Sequence, residues 1–399
     1  MKQASKNTGV VRFARIAVAC AAFATLVACG GGSDNNNSNA SSTPAGGVKL
    51  QVVSFGDSLS DVGTYSPVIT ASFGGGRYTT NPGEVWTQKV AEYYGDTLTP
   101  AYVGGFGLAL KANGGFGYAQ GGSDVSRVDG IGFAPNNMAQ TTWPVTQQIQ
   151  QYVTDHGSFN SNQLVLINSG ANDILQNLST MLTKIQTQVA QLTDPSQASA
   201  VIQSVAFSTV GPMAQTLGGQ VATILAKGAT HVVVMDVPDI GKTPLAASLA
   251  VQFNSSQVPL VISGIVATYN GVLQQTLAAL GVSSKVIYIT TSDWLNPVLS
   301  NPSAQGFSNT TGTACTVAQM SANATAYAKA NPSVLTGGIT AEQYGQLFGS
   351  SLFCSPNTLT VAGADQSYVF ADTIHPTTHA HAAFATFVEG KIAATGLGK

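Results

Sequence analysis

Four short apolar runs, rich in valine, isoleucine and leucine, alternate along this chain with longer segments of helical pattern. Their hydrophobicity is nearly continuous, which is typical of strands buried on both faces of a sheet. The predicted strands are residues 50–55, 164–168, 231–237 and 286–290. The predicted helices are residues 84–94, 145–154, 172–191, 197–227, 251–280 and 379–392. This alternation predicts an α/β fold in which helices cover both faces of a parallel sheet.

The first predicted strand ends in the tripeptide GDS, which places Ser58 at the carboxyl edge of the sheet. Ligands of open parallel sheets bind at that edge. A serine hydroxyl becomes a good nucleophile only when a base removes its proton. The segment ADTIHPTTHAHAAF contains three of the five histidines, and within it Asp372 precedes His375 by three residues. The spacing allows the carboxylate to orient the imidazole toward Ser58.

Acyl transfer also needs donors that stabilise a tetrahedral oxyanion. The segment YAQGGSD offers Gly121 and Gly122, where a backbone without side chains can approach a substrate closely. The segment INSGANDIL offers Asn172, directly after the second predicted strand. Asparagine is also a favoured residue at a helix N-terminus, so we expect Asn172 to cap its helix as well.

Four segments resemble, in the same order, the sequence blocks of the GDSL, or SGNH, hydrolase family. They are GDSLS at 56–60, YAQGG at 118–122, GAND at 170–173 and DTIHP at 372–376. The resemblance covers residues 48–399 and implies a flavodoxin-like three-layer α/β/α sandwich. It also implies a nucleophile at Ser58, a base at His375 oriented by Asp372, and no metal or cofactor. The implied oxyanion hole consists of the backbone N–H groups of Ser58 and Gly122 and the side chain of Asn172.

Two further segments, 232–244 and 301–309, are similar to a branch of bacterial exported lipases, phospholipases and acyltransferases. This resemblance implies a lipid ester as substrate. A short-chain or carbohydrate-ester esterase is the alternative enzyme, and an inactive surface lipoprotein used as a binding scaffold is the alternative of another class. The chain departs from the family pattern at Gly117 and Thr64, where the family usually has asparagine.

The first 28 residues have the pattern of a lipoprotein signal peptide. A basic region is followed by thirteen mostly apolar residues, too few to span a bilayer. We expect lipidation at Cys29, a flexible tether over 29–47, and a cell-envelope location, with the outer membrane favoured. The alternative is an ordinary secretory signal and a secreted protein. Only 9% of residues are charged, and without the four basic signal residues the formal net charge falls from −2 to −6. Nucleic acid is therefore not an expected partner, and the sequence leaves the oligomeric state open.

Two cysteines, Cys315 and Cys354, remain beyond the predicted signal and lipidation site. In an exported protein two thiols most simply form a disulfide. The alternative is two separate buried thiols. A zinc site is disfavoured because no spacing typical of zinc ligands surrounds either residue. Residues 297–366 show little regular pattern, and we interpret them as an insertion near the site.

Several of these residues also have simpler interpretations. The glycine pair could form an ordinary turn, and Asp372 could serve only as a structural cap. A metal cluster of three histidines is disfavoured because His379 and His381 cannot share a helix face, and we predict both at the helix surface. Three tryptophans are predicted to pack in the core or pocket rather than form a platform for sugars: Trp86, Trp143 and Trp294.

Overall fold

A computed structural model describes residues 43–399 of the protein. The predicted signal peptide, Cys29 and residues 30–42 of the predicted tether lie outside these residues. Residues 43–47 were assigned to the tether, but they belong to the folded part of the chain. Gly46 is buried; its N–H donates to the Tyr93 carbonyl at 2.8 Å, and its own carbonyl accepts from the Lys399 N–H at 3.0 Å.

The strands of the described residues are β1 (Gln51–Phe55), β2 (Tyr102–Gly105), β3 (Leu108–Ala112), β4 (Gln163–Asn168), β5 (His231–Met235), β6 (Ile287–Ile289), β7 (Asn309–Thr313) and β8 (Tyr368–Phe370). The four predicted strands form one parallel sheet, as expected, and the structure orders them β1-β4-β5-β6. Two further pairs of strands are short: β2 with β3 antiparallel, and β7 with β8 parallel.

Helices lie on both faces of the sheet because successive strand side chains point to opposite faces. They are α1 (Ser66–Phe73), α2 (Trp86–Tyr93), α3 (Val145–His156), α4 (Ala171–Val189), α5 (Ala198–Ala226), α6 (Pro244–Gln252), α7 (Val258–Ala279), α8 (Ser292–Ser300), α9 (Val317–Ala330), α10 (Ala341–Phe348), α11 (Ala364–Ser367) and α12 (Thr378–Ala393). Among these described helices, none combines the length and hydrophobicity needed to cross a bilayer.

The two faces of the sheet have separate cores. Val52 and Val233 pack with side chains of α2 and α12 on one face. Val53 and Val165 point to the other face, where they pack with side chains of α3, α4, α5 and α7. The three-layer α/β/α architecture expected from the family resemblance is therefore confirmed. It places the carboxyl ends of β1, β4 and β5 along one edge, where the predicted site residues follow.

One predicted helix is divided in two. Residues 251–280 were expected to form a single helix, but α6 ends at Gln252 and α7 begins at Val258. Asn254 adopts a left-handed conformation, with φ of 48°, between them. Pro259 then occupies the first turn of α7, where its missing N–H costs no helical hydrogen bond. The apolar residues on both sides of the break concealed it from the hydrophobic pattern.

The segment 297–366 is more regular than the sequence suggested. It contains β7 and helices α9 to α11, and its residues Met320 and Leu352 belong to a third core that also includes Ile69 of α1 and Phe106. A disulfide joins Cys315 and Cys354, both buried in that core. Because β7 pairs with β8, the segment is attached to the strand that leads directly to Asp372.

Removal of this disulfide should destabilise the protein. The bond closes a loop with a sequence separation of 39 residues, and loss of that constraint in the unfolded chain costs about 4 kcal/mol in the chain-entropy model. The double variant Cys315→Ala/Cys354→Ala should therefore show a lower midpoint of urea unfolding. Wild-type protein in dithiothreitol should match the variant. Equal midpoints for the variant and the oxidised wild type would contradict the prediction.

Candidate active site

The predicted nucleophile, Ser58, stands on a tight turn just beyond β1. Gly56 has φ of 146°, and a Cβ there would lie 2.5 Å from the Asn168 carbonyl oxygen, so only glycine fits. The side chain of Gln148 holds this glycine from α3. Its Oε1 accepts the Gly56 N–H at 2.8 Å, and its Nε2 donates to the Gly56 carbonyl at 2.8 Å. In the sequence, nothing local distinguishes Gln148 from other helix glutamines, so its contact with Gly56 was not predicted.

The residues around Ser58 fix the turn from its other side. Asp57 Oδ1 accepts the Leu59 N–H at 3.1 Å and Asn168 Nδ2–H at 2.8 Å. The hydroxyl of Ser60 donates in turn to Asn168 Oδ1. Asp57 is fully enclosed, and this burial raises its pKa to about 6 despite the hydrogen bonds. These contacts hold Ser58 at the edge of the sheet with its side chain free to react.

The three predicted triad residues form one continuous hydrogen-bonded chain. Ser58 Oγ lies 2.8 Å from His375 Nε2, and His375 Nδ1 lies 2.7 Å from Asp372 Oδ2. The imidazole side chain is 12% exposed and the Asp372 side chain 4% exposed. Since Asp372 accepts from Nδ1–H, Nε2 is left as the acceptor of the serine proton.

Asp372 is held by more than its partner histidine. Its Oδ1 accepts the N–H groups of Ile374 and His375 at 2.8 and 2.7 Å, and its Oδ2 accepts the Ser351 N–H at 2.6 Å. Burial alone would raise the Asp372 pKa, but the charge of His375 and these hydrogen bonds hold it below its usual range. The carboxylate therefore orients the histidine and also caps the local turn. Ser351 belongs to the segment 297–366, which thus supports the triad directly.

The predicted oxyanion residues line the same cavity as Ser58 and His375. Asn172 is the second residue of α4 rather than its cap, because Gly170 occupies the cap position with φ of 114°. The expectation that Asn172 caps its helix is wrong. Its Nδ2 instead donates to the Ser123 carbonyl at 2.8 Å, which ties the amide to the loop that contains Gly122.

Asp61 holds the loop that contains Gly121 and Gly122 beside residues 56–60. Its Oδ2 accepts the Gly121 N–H at 2.8 Å, while its Oδ1 accepts the N–H groups of Gly63 and Thr64. Gly117, where the family resemblance predicts asparagine, pairs through its backbone with Ser54 of β1. The Asp61 carboxylate thus anchors the glycine pair. In the sequence, only the position of Asp61 three residues after Ser58 indicated a role near the site. Its hydrogen-bond partner Gly121 lies 60 residues away in the chain.

Gly122 requires the absence of a side chain. Its φ is 80°, and a Cβ would lie 2.0 Å from the Ile131 carbonyl oxygen. Gly122→Ala should displace the N–H that is predicted to bind the oxyanion and lower kcat by about 100-fold, with KM little changed. The matched control is Gly114→Ala, where φ is 75° but nothing lies within 4 Å. Steady-state kinetics that give both variants the same kcat would contradict the assigned role.

Two further rings lie near the triad, those of Tyr78, which was not predicted, and His381. The Tyr78 ring packs against the His375 ring, with 5.1 Å between their centroids. A Cβ on Gly121 would lie 2.1 Å from the Tyr78 ring. His381 is 2% exposed rather than at the helix surface, so that prediction is wrong. Its Nδ1 accepts the Trp86 N–H at 3.3 Å. Burial and the charge of His375 lower the His381 pKa to about 3, so this imidazole stays neutral.

A cavity of about 400 Å³ opens at Ser58 along the carboxyl edge of the sheet. Apolar side chains make up most of its lining. Residues of α9 and α10, among them Val317 and Leu347, contribute to the lining. Trp86 and Trp294 line it as well, while Trp143 packs against Tyr102 elsewhere.

The comparison with known protein families agrees with the resemblance of the four sequence blocks. The family model described as GDSL-like Lipase/Acylhydrolase matches residues 52–388, which include all four sequence blocks. A search of curated proteins found no significant match. Because the family model spans most of the chain, the assignment does not depend on any single motif. The chain belongs to the GDSL-like lipase/acylhydrolase family and is a hydrolase that acts on ester bonds.

Proposed function

We propose that this protein is an exported serine esterase that cleaves acyl esters of lipids through an acyl-enzyme on Ser58. The observation that carries the proposal is the hydrogen-bonded chain from Ser58 through His375 to Asp372, which opens into an apolar cavity. A fully assembled triad argues against the inactive binding scaffold.

In the first half of the reaction His375 Nε2 takes the proton of Ser58 as its Oγ attacks the ester carbonyl carbon. The Asp372 carboxylate stabilises the imidazolium that forms. The N–H groups of Ser58 and Gly122 and the Asn172 amide donate to the oxyanion. The intermediate collapses, His375 protonates the leaving oxygen, and the alcohol departs while the acyl group stays on Ser58.

In the second half water attacks the acyl-enzyme, with His375 again acting as the base. The carboxylic acid leaves and Ser58 recovers its proton. Another alcohol can replace water in this step, and the protein then acts as an acyltransferase. The mostly apolar lining of the cavity supports a lipid acyl group as the part of the ester that binds there.

The N-terminal pattern supports export and attachment to the cell envelope through a lipid on Cys29. Membrane fractionation after growth with labelled palmitate tests this part of the proposal. We expect labelled protein in the membrane fraction for the wild type and no label for Cys29→Ser. Equal labelling of the two would exclude Cys29 as the lipidation site.

The catalytic part of the proposal is tested with detergent-extracted full-length protein. We expect hydrolysis of p-nitrophenyl esters with a preference for medium or long acyl chains over acetate. A p-nitrophenyl alkylphosphonate should release one equivalent of p-nitrophenolate and leave its phosphonyl group on the peptide that contains Ser58. A preference for acetate would favour the short-chain esterase. A label on any other residue would overturn the assignment of the nucleophile.

A further inference from the structure

One side of the cavity extends from the nucleophile into the layer between the sheet and α12. Its lining residues are almost fully buried, apart from Leu59 and Trp294, which are partly exposed. We call this part the aromatic arm and define it by Leu59, Trp86, Met235, Trp294 and Phe384. Leu59 follows Ser58 directly in the chain and lines the same cavity, so the arm begins beside the nucleophilic residue.

Three rings form the wall of the aromatic arm. Trp86 and Phe384 pack edge to face with centroids 5.5 Å apart, and Phe384 and Trp294 do the same at 5.3 Å. Trp86 is fixed by its Nε1–H, which donates to Ser60 Oγ at 3.1 Å. Since Ser60 is two residues from Ser58, the wall has a fixed position relative to the nucleophile.

The arm contains no ionised side chain among its lining residues. His381 borders it, but its imidazole is neutral because burial lowers its pKa to about 3. Polar side chains contribute to the cavity lining outside the arm, and we call this part the rim. It includes Asp239, Thr243, Gln346 and Ser350, and it lies next to the exposed Leu347.

The two parts of an ester need different surroundings in this reaction. The alcohol must leave for solvent once the acyl-enzyme has formed, so it is best placed at the open and more polar rim. The acyl chain stays attached to Ser58 until water attacks. It gains most from an enclosed apolar space, where each buried methylene contributes about 0.8 kcal/mol, or about a fourfold gain in kcat/KM.

We propose that the aromatic arm is the acyl-chain site and that Trp294 limits the length of the straight fatty acyl chain it accepts. This inference rests on the proposed function. Trp294 is the partly exposed ring of the wall, whereas Trp86 and Phe384 are buried. Truncation of Trp294 therefore opens the end of the arm toward solvent and leaves the two inner rings in place.

The test compares the wild type with Trp294→Ala and Trp294→Phe, in full-length protein, on p-nitrophenyl esters from two to sixteen carbons. For Trp294→Ala we expect the preferred acyl chain to be at least two carbons longer than that of the wild type. We also expect the ratio of kcat/KM for the sixteen-carbon ester to kcat/KM for the ester that the wild type prefers to rise about tenfold or more. Trp294→Phe should give a smaller shift in the same direction. The control is Leu347→Ala on the rim, which should leave the dependence of kcat/KM on acyl-chain length unchanged.

A second series holds the acyl group constant and varies the alcohol. We expect the Trp294 variants to keep the wild-type order of alcohols. A uniform fall in kcat/KM at every chain length, without a shift of the optimum, would overturn the inference, because it would give Trp294 a purely structural role. A shifted optimum in Leu347→Ala alone would overturn it by placing the acyl chain at the rim. A wild type that cleaves no ester would instead refute the proposed function itself.

Discussion

Replacement of Ser58 by alanine is expected to lower kcat by about 10⁴- to 10⁶-fold, to the residual rate that the oxyanion donors and substrate binding supply. Within residues 43–399, the Ser58 hydroxyl is the one side-chain group hydrogen-bonded to His375 Nε2, at 2.8 Å. Its loss removes the covalent intermediate and leaves direct attack by water. The fold should be unaffected, because the substitution deletes one oxygen from a side chain at the cavity surface.

Steady-state hydrolysis of the preferred p-nitrophenyl ester measures this effect. Ser179→Ala, which changes an exposed serine of α4, is the matched control and should keep full activity. The phosphonate should label the control and fail to label Ser58→Ala. Residual activity within tenfold of the wild type would show that another group supplies the nucleophile.

Asp372→Asn is expected to lower kcat by about 10⁴-fold. The native carboxylate accepts four hydrogen bonds, including the one from His375 Nδ1 at 2.7 Å. An amide has one oxygen and two N–H donors, so it cannot accept all four. It favours the histidine tautomer with the proton on Nε2, and that nitrogen can no longer accept the Ser58 proton.

The pH dependence of stability separates a charge effect from a change of shape. The Asp372 pKa is below its usual range in the folded protein. Its ionised form therefore stabilises the fold above the unfolded-state pKa of about 3.9, and this contribution is lost as the pH falls below that value. The thermal midpoint of the wild type should fall more steeply below about pH 4 than that of Asp372→Asn. Parallel curves, together with near-normal kcat, would show that the carboxylate has neither role.

Local sequence carried most of the information about the parallel sheet and the reacting groups. The four apolar runs predicted the strands within a few residues, since burial on both faces demands continuous hydrophobicity. The compact blocks around Ser58, Asn172 and His375 predicted residues that the fold brings to one cavity, although Ser58 and His375 are 317 residues apart. Their spacing within each block reflects local turn geometry, which a sequence displays directly.

Side chains that act across the fold could not be found in this way. Gln148 reaches Gly56 over 92 residues, and Trp86 meets His381 over 295. Each is an ordinary residue of an ordinary helix in the sequence. The surface position predicted for His381 failed for the same reason, because helical spacing gives the relative direction of two side chains but not which of them faces the core.

The sequence by itself determined the fold class, the family and the order of the reacting groups along the chain. These follow from hydrophobic periodicity and short motifs, which depend on residues close to one another. Only the tertiary structure decided that Asp61 and Gln148 position the glycine turns, that Ser351 supports Asp372, and that an aromatic arm leads away from Ser58. Those features depend on packing between distant segments, and packing is set by the shape of the whole core rather than by any local pattern.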